Sequence, residues 1–134
     1  MMKTIDKIAW IYLRDGKILS TRSKGKERFY IPGGKREVGE ADEDTLVREI
    51  REELSVEIVA QSIGFWGEYR AQADSHPEGI EVIMQCYEAE YEGELSAAAE
   101  IEQLAWLGYD DRERVSAVDK IIFDVLRAEN RLAD

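Results

Sequence analysis

The chain has 134 residues, the usual size of one domain, and carries 18 basic and 29 acidic residues for a net charge of −11. That charge argues against a nucleic-acid partner, because binding a phosphate backbone needs a basic surface. It still allows a phosphorylated small molecule, since a bound metal ion inverts the local charge. The length predicts one domain over residues 1–134. The single cysteine, together with the lack of a long apolar run or signal-peptide pattern, predicts a cytoplasmic protein without a membrane partner.

The first 32 residues predict three strands. Asp15 and Gly16 are a strong hairpin signal between two apolar stretches. Pro32 ends a third apolar stretch, and the loop before it is basic in an otherwise acidic chain. The strands are expected at 3–13, 17–22 and 29–31, with the basic loop at 23–28.

The rest of the chain predicts two helices separated by strands. An acidic first turn at Asp42, followed by apolar residues at helical spacing, predicts a helix that ends near Leu54. A second apolar stripe predicts a long C-terminal helix over 110–131. The remaining strands are expected at 58–69, 80–91 and 103–107, with an exposed loop at 71–79. Two helices so far apart in a chain of strands predict an α/β domain, a sheet with one helix on each face.

Three glutamates of the first predicted helix lie on one face. With Glu49 at zero on a helical wheel, Glu52 falls at about 300° and Glu53 at about 40°. Leu46 and Ile50 lie beside this face, so the helix can bury one side while the other presents negative charge. Like charges at such spacings destabilise a helix by roughly 0.2–0.5 kcal/mol per pair. A divalent cation is the obvious group to offset this repulsion.

The same glutamates belong to a longer pattern. Gly34 is followed after five residues by Glu40, and after seven more by the run from Arg48 to Val56. This spacing resembles the Nudix box, G-x5-E-x7-R-E-U-x-E-E-x-G-U, where U is apolar. The one departure is Ser55, where the pattern has glycine. Glycine just after a helix often adopts the left-handed conformation, so serine there predicts a cost of roughly 1 kcal/mol or a different turn.

The resemblance implies a fold and a reaction. The family's fold is an α/β/α sandwich around a mixed sheet, with the box helix on one face and the C-terminal helix on the other. The implied enzyme depends on Mg²⁺, with Mn²⁺ as an alternative, and cleaves a pyrophosphate bond in a nucleoside diphosphate linked to another group. We expect a small nucleotide as its partner, most simply a nucleoside triphosphate, and a monomer or homodimer. The alternatives left open are a nucleotide-sugar or ADP-ribose pyrophosphatase, an RNA 5′-end pyrophosphohydrolase and a non-catalytic nucleotide-binding regulator.

The resemblance also implies a set of metal ligands. Glu49 and Glu53 would be the principal ligands, and Glu52 would share one or more ions. The carbonyl oxygen of Gly33 would add a backbone ligand. These are the oxygen donors that magnesium prefers. The alternative for the three glutamates alone is a solvated acidic helix face.

Other box residues are implied to support the site. By the resemblance, Arg48 and Glu40 brace the loop that Gly34 begins against the helix and orient the carboxylates. Such supporting contacts can matter nearly as much as the ligands themselves. The alternative for Arg48 is an ordinary surface arginine.

Candidates outside the box carry weaker signals. Glu100 precedes an apolar stretch that resembles the family's late loop and strand, so it is a candidate fourth ligand or general base, with Glu102 as the runner-up. The opposing interpretation is a solvated loop glutamate. His76, the only histidine, is expected to be a solvated loop residue rather than a phosphate contact.

Substrate contacts are expected around the basic loop. Arg22, Arg28 and Lys35 suit phosphate groups, and Tyr30 suits a base by stacking. The alternative is a solvated loop beside core aromatic side chains.

Overall fold

The structure of the chain, a computed structural model, describes residues 3–73 and 76–134. Its strands and α-helices in chain order are β1 (Lys3–Ile11), β2 (Leu13–Arg14), β3 (Lys17–Ser23), β4 (Gly33–Gly34), α1 (Asp42–Leu54), β5 (Glu57–Ile58), β6 (Gly64–Gln72), β7 (Ile80–Glu88), β8 (Tyr91–Glu92), β9 (Ile101–Leu107) and α2 (Ala117–Ala128). Two 3₁₀ helices lie at Ala60–Ser62 and Tyr109–Arg114.

The central sheet is mixed, as predicted. Its strand order is β4-β1-β7-β6, with β1 and β7 parallel and the other two pairs antiparallel. A second, antiparallel sheet has the order β2-β3-β9. The hairpin predicted at Asp15 and Gly16 is confirmed, since both have positive φ and β2 pairs with β3 across them.

The side chains of β1 show why the sheet carries a helix on each face. Successive residues of a strand point to opposite sides. Ile8 and Trp10 pack into one apolar cluster with Leu46 and other residues of α1. Ala9 and Ile11 pack into the other cluster with α2. The predicted α/β/α sandwich is therefore confirmed.

Helix α1 has the predicted bounds. At its start, the backbone N–H of Ala41 donates to the Asp44 carboxylate at 3.1 Å. At its end, Ser55 adopts the left-handed conformation with φ 63° and ψ 23°, and its N–H donates to the Arg51 carbonyl at 3.1 Å. Of the two outcomes expected for Ser55, the structure shows the first: the usual turn is kept, with a side chain where glycine costs less.

Two of the predicted long strands are each divided. The stretch 58–69 contains the 3₁₀ turn Ala60–Ser62, because β5 pairs with β8 while β6 pairs with β7 in another sheet. The stretch 80–91 is divided between β7 and β8 for the same reason. The loop predicted from residue 71 begins only after Gln72, and residues 74 and 75 lie outside the described ranges.

The predicted strand 29–31 was wrong. Tyr30 pairs with Thr21 of β3, whereas the preceding Phe29 pairs with Val115. Because neighbouring residues pair with different segments, no continuous ladder forms. The strand next to Pro32 is instead β4, two glycines paired with β1.

The C-terminal helix begins later than predicted. Residues Tyr109–Arg114 form a 3₁₀ helix, and Val115 is extended because it pairs with Phe29. Helix α2 therefore starts after Ser116, its N-cap residue. Neither helix in the described part of the chain is long and apolar enough to cross a membrane.

Candidate active site

A cleft of about 640 Å³ opens on the α2 side of the central sheet. It is bordered by β1, β7, the end of β3, both helices and the loops before β4 and β9. Its apolar wall includes Ile5, Ala9, Ile31, Val82, Met84 and Val118. Its polar and charged lining includes Lys7, Thr21, Ser23, Lys26, Lys35, Glu49, Glu53, Gln72, His76, Glu100 and Ser116.

Two glycines let α1 approach the sheet at this cleft. Gly33 has φ 148°, and a Cβ atom there would collide with the carbonyl oxygen of Ile8 in β1. A Cβ atom on Gly34 would overlap the carboxyl group of Glu49. The absence of side chains on β4 therefore makes room for the Glu49 carboxylate against its backbone.

Glu53 is the most buried acid of the cleft, with 7% of its surface exposed. Its Oε1 accepts a hydrogen bond from the backbone N–H of Gly33 at 3.3 Å. Burial, followed by the charge of Glu49, raises the pKa of Glu53 from the ordinary 4.5 to about 8. A carboxyl group in this condition is stabilised by a proton or by a cation.

Glu49 and Glu100 face the same cleft. Burial raises the pKa of Glu49 against the opposing effect of Arg48, and the charges of Glu52 and Glu100 raise it further. The loop that carries Glu100 is tied to the end of α1, where the N–H of Ala98 donates to the Glu53 carbonyl at 2.9 Å. The structure thus brings Glu49, Glu53 and Glu100 together from two distant parts of the chain.

Glu52 and Glu102 have different positions. The Glu52 side chain is 53% exposed and does not line the cleft; its carboxylate lies 3.5 Å from the Arg48 guanidinium. Glu102 accepts a hydrogen bond from Arg22 at 3.1 Å, also away from the cleft. The roles predicted for these glutamates remain predictions.

Arg48 and Glu40 form a close ion pair in which both oxygens of the Glu40 carboxylate accept hydrogen bonds. The Nε and Nη2 atoms of Arg48 donate to the two carboxylate oxygens of Glu40 at 2.6 and 2.9 Å. Glu40 also accepts from the Thr45 hydroxyl and the Glu37 N–H, both at 2.8 Å. The Arg48 hydrogen bonds, and after them that of the Glu37 N–H, lower the pKa of Glu40 to about 2.

Arg48 also connects this group to the cleft. Its Nη1 atom donates to Glu49 Oε1 at 2.8 Å, and Nη2 donates to the Lys35 carbonyl at 3.0 Å. One guanidinium therefore joins the loop after β4, Glu40 and a carboxylate of the cleft. With these hydrogen bonds, Arg48 can orient the Glu49 carboxylate.

The donor atoms of the cleft suit a hard divalent cation. Within residues 3–73 and 76–134, no three acidic, histidine or cysteine side chains are close enough together to form a metal site by themselves. Magnesium commonly binds through one or two carboxylates and completes its shell with water and substrate phosphates. After burial, which raises both pKa values, the charge of Glu49 raises the pKa of Glu53, and the charge of Glu100 raises the pKa of both acids. Glu49 and Glu53 therefore fit that mode.

Two of the four predicted substrate residues line the cleft. Tyr30 and Lys35 do so. Arg22 does not, and it donates to Glu102 and to the Lys26 carbonyl, both at 3.1 Å. Arg28 does not either, and its Nη1 donates to a backbone carbonyl next to α2 at 3.1 Å. Both arginines therefore have structural contacts that their sequence did not indicate.

Lys7 and Ser116 line the cleft but were missed as site residues. Lys7 could have been found from the alternation in β1, because it shares a strand face with Ile5 and Ala9. Ser116 is only 4% exposed, and its hydroxyl has no hydrogen-bond partner within the described residues. Nothing in the local sequence distinguishes Ser116, since its position depends on where α2 packs.

The loop after β6 forms part of the rim. His76 is exposed, as expected, yet it borders the cleft. The Gln72 side chain donates to the Pro77 carbonyl at 2.9 Å and accepts from the Gly79 N–H at 3.1 Å. These bonds fasten the base of the loop beside the cleft.

The family of the chain follows from comparison of its whole length with known proteins. The NUDIX domain family model matches residues 4–125, which include every residue that lines the cleft. The chain belongs to the Nudix family. The matched region extends far beyond the box, so membership does not depend on that pattern alone.

Individual relatives agree with this family assignment. The CTP pyrophosphohydrolase of Escherichia coli is 33% identical over 110 residues, which cover 78% of this chain and 76% of the relative. The solution structure of the Escherichia coli ORF135 protein matches with a TM-score of 0.72 and 27% identity, over 96% of this chain and 94% of that one. The MutT Nudix hydrolase of Burkholderia pseudomallei shares the fold, with a TM-score of 0.74, 22% identity and coverage of 91% and 97%. This protein is therefore a MutT-like Nudix pyrophosphohydrolase.

Proposed function

We propose that this Nudix enzyme hydrolyses nucleoside triphosphates to nucleoside monophosphates and pyrophosphate, with Mg²⁺ as its cofactor and Mn²⁺ as a substitute. The observation that carries the proposal is the meeting of Glu49, Glu53 and Glu100 in one cleft that is also lined by lysines. The acids suit a metal ion, and the lysines suit the phosphates of the substrate. The free, buried Cys86 suits a reducing compartment, so we expect activity in the cytoplasm.

The residues of the chain divide the chemical work. Glu49 and Glu53 would hold Mg²⁺, with the Gly33 carbonyl as an additional ligand. The bound ion would neutralise charge on the phosphate oxygens during in-line attack by water. Glu100 would complete the ligand set or accept the proton that the attacking water loses. Arg48 would keep the Glu49 carboxylate turned toward the cleft.

The shape of the cleft supports a small nucleotide as substrate. Its volume of about 640 Å³ lies in the range of roughly 300–1,000 Å³ that is usual for small-molecule sites. Apolar side chains such as Val82, Met84 and Val118 can contact a base, while the acidic residues and lysines suit the phosphates. Hydrolysis of nucleotide sugars or of ADP-ribose would use the same acids on a larger leaving group.

RNA with a 5′-triphosphate is a less favoured substrate. The basic segment 22–28 was the feature that kept this possibility open. Arg22 is engaged by Glu102, and Arg28 donates to the backbone next to α2. The net charge of −11 also opposes a long phosphate backbone.

Among the nucleoside triphosphates, CTP is the first candidate. The support is the CTP pyrophosphohydrolase of Escherichia coli, which is 33% identical to this chain. Discrimination of a base requires polar groups that bind its edge. Ser116, with its buried hydroxyl on the cleft, is one such group.

A substrate screen tests the proposal. The purified protein is incubated with Mg²⁺ and, in parallel, with ribo- and deoxynucleoside triphosphates, nucleotide sugars, ADP-ribose, dinucleoside polyphosphates and triphosphate RNA. We expect the highest kcat/KM for a nucleoside triphosphate, with CTP leading and pyrophosphate released. A higher kcat/KM for RNA or for a nucleotide sugar would contradict the proposal. Nucleotide binding without turnover of any compound would favour a regulator.

A further inference from the structure

Most of the positive charges of this chain are paired inside the protein. Every arginine donates a hydrogen bond to a protein acceptor. Within residues 3–73 and 76–134, the ammonium groups without a hydrogen-bond or ion-pair partner are those of Lys3, Lys7, Lys24, Lys26 and Lys35. Three of these, Lys7, Lys26 and Lys35, line the cleft. In so acidic a protein, free cations are thus concentrated where the acids of the site meet.

Lys7 differs from the other two lysines of the cleft. Lys26 and Lys35 are exposed, so water solvates their charges. Lys7 is half-buried on the face of β1 that also presents Ile5 and Ala9, and it lies opposite Met84 of β7. An ammonium group among apolar neighbours loses part of its hydration, so it is stabilised by an anionic partner.

The nearest acids do not complete this partnership. Lys7 is close enough to Glu53 for its charge to oppose the rise in the pKa of that acid, yet the two groups form no ion pair. A cation held by Glu49 and Glu53 would be bound to the substrate's phosphates on its other side. Those phosphates would then lie within the same part of the cleft as the Lys7 ammonium group.

We propose that Lys7 binds a non-bridging phosphate oxygen of the substrate and so contributes to recognition of the polyphosphate chain rather than of the base. The inference rests on the proposed function, because it requires a phosphorylated substrate in this cleft. A lysine ammonium group is a compact charge with three donors and suits a phosphate group that can rotate. Its place on a rigid central strand holds this charge in a fixed position relative to Glu53.

Lys3 provides a matched control. It lies on the same strand and, by alternation, on the same strand face as Lys7, but it is exposed and does not line the cleft. The variants Lys7→Met and Lys3→Met remove the same charge from the same element. Lys7→Arg keeps the charge. Thermal unfolding of all three checks that the fold is retained.

The first test measures binding without relying on turnover. Calorimetric titration with inorganic tripolyphosphate at saturating Mg²⁺ is expected to give about tenfold weaker binding to Lys7→Met, as for loss of one charged hydrogen bond. Lys3→Met is expected to bind as the unchanged protein does, and Lys7→Arg to retain most of the affinity. Equal affinities of the Met variants, or no measurable binding to the unchanged protein, would overturn the proposal. If binding depends on Lys7 but no nucleoside triphosphate is hydrolysed, the proposed function fails and this inference stands.

The second test separates phosphate from base. The kcat/KM of Lys7→Met is measured for CTP, UTP, ATP and GTP beside the unchanged protein. A phosphate contact predicts the same loss factor, about tenfold, for all four substrates. A loss confined to one base would mean that Lys7 binds that base, and the proposal would be wrong.

Discussion

Two carboxylates, that of Glu40 just before α1 and that of Glu53 within α1, have opposite electrostatic conditions. Glu40 is enclosed by hydrogen-bond donors, chiefly Arg48, which lower its pKa to about 2. Glu53 is buried beside other acids and has a pKa of about 8. The first residue is electrostatically complete within the protein, so it suits a structural role. The second is incomplete without a proton or a cation, so it suits a binding role.

Arg48 connects Glu40 to the acids of the cleft. It pairs with Glu40 through two hydrogen bonds and donates a third to Glu49 at the edge of the cleft. The Arg48–Glu40 pair thereby holds the Glu49 carboxylate in position beside Glu53. The contrast predicts that changes to the acids of the cleft affect activity more than stability, whereas changes to the Arg48–Glu40 pair affect both.

Glu53→Gln is expected to have the largest effect on activity. It keeps the shape of the side chain but removes the charge that would hold a metal ion, so kcat should fall by about 10²–10³-fold, as when one charge-stabilising group is lost. Folded-state stability without metal should not fall, because burial disfavours the charged form of Glu53 and glutamine is neutral at every pH. Mg²⁺-dependent hydrolysis and thermal unfolding measure the two effects. Turnover close to that of the unchanged protein at saturating Mg²⁺ would contradict the assigned role of Glu53.

Arg48→Met is expected to lower activity by about 10- to 100-fold, the usual range for residues that orient metal ligands. It should also lower the unfolding temperature, because Glu40 and Glu49 lose their common partner. Arg51→Met is the matched control, since Arg51 pairs with the exposed Glu57 at the far end of the same helix. Equal effects of the two variants would show that Arg48 is an ordinary surface residue.

Glu100→Gln is expected to lower kcat by about tenfold or more, as for a supporting ligand or a proton acceptor. Its control is Glu102→Gln, two residues away, where the carboxylate pairs with Arg22 outside the cleft. The Glu102 variant should keep nearly full activity. Loss of a proton acceptor removes the acidic limb of the pH–rate profile. Loss of a metal ligand instead raises the Mg²⁺ concentration needed for half-maximal rate, so both dependences are measured for both variants.

The two carboxylates also predict opposite effects of pH on the metal-free protein. Glu40 has a lowered pKa, so its contribution to stability is present above 4.5 and is lost as the pH falls toward about 2. Glu53 has a raised pKa, so its contribution is present below 4.5 and is lost as the pH rises toward about 8. Urea unfolding in EDTA between pH 4.5 and 8 should show this decline. The decline should be smaller in Glu53→Gln, and an unchanged slope would contradict the burial of a neutral Glu53.

Ser55→Gly is expected to have the smallest effect. Because Ser55 is held at φ 63°, glycine should stabilise the protein by about 1 kcal/mol and leave kcat unchanged. Asn130→Gly is the control, since Asn130 also has positive φ after a helix and asparagine tolerates that conformation better. Thermal unfolding measures both gains, and a loss of stability in Ser55→Gly would show that the serine side chain is needed.

The accuracy of the sequence-based predictions followed the range of the interactions involved. The bounds of α1 were predicted correctly, because an acidic first turn and an apolar stripe act within the helix itself. The C-terminal helix was predicted too long, because Val115 is extended by pairing with Phe29, far away in the sequence. Arg22 was proposed as a substrate residue because a basic side chain suits phosphates, and its pairing with Glu102, 80 residues away, could not be predicted from the local sequence.

By itself, the sequence determined the family, the α/β/α architecture and the helix that carries Glu49 and Glu53. These depend on local periodicity and on spacing within one continuous segment. Only the tertiary structure decided that Glu100 meets those acids, that Glu52 lies outside the cleft, and that a half-buried Lys7 stands beside them. The physical reason is that charge, burial and pKa depend on groups that are brought together by the packing of β1, β7 and both helices, and their distances cannot be derived from their order in the chain.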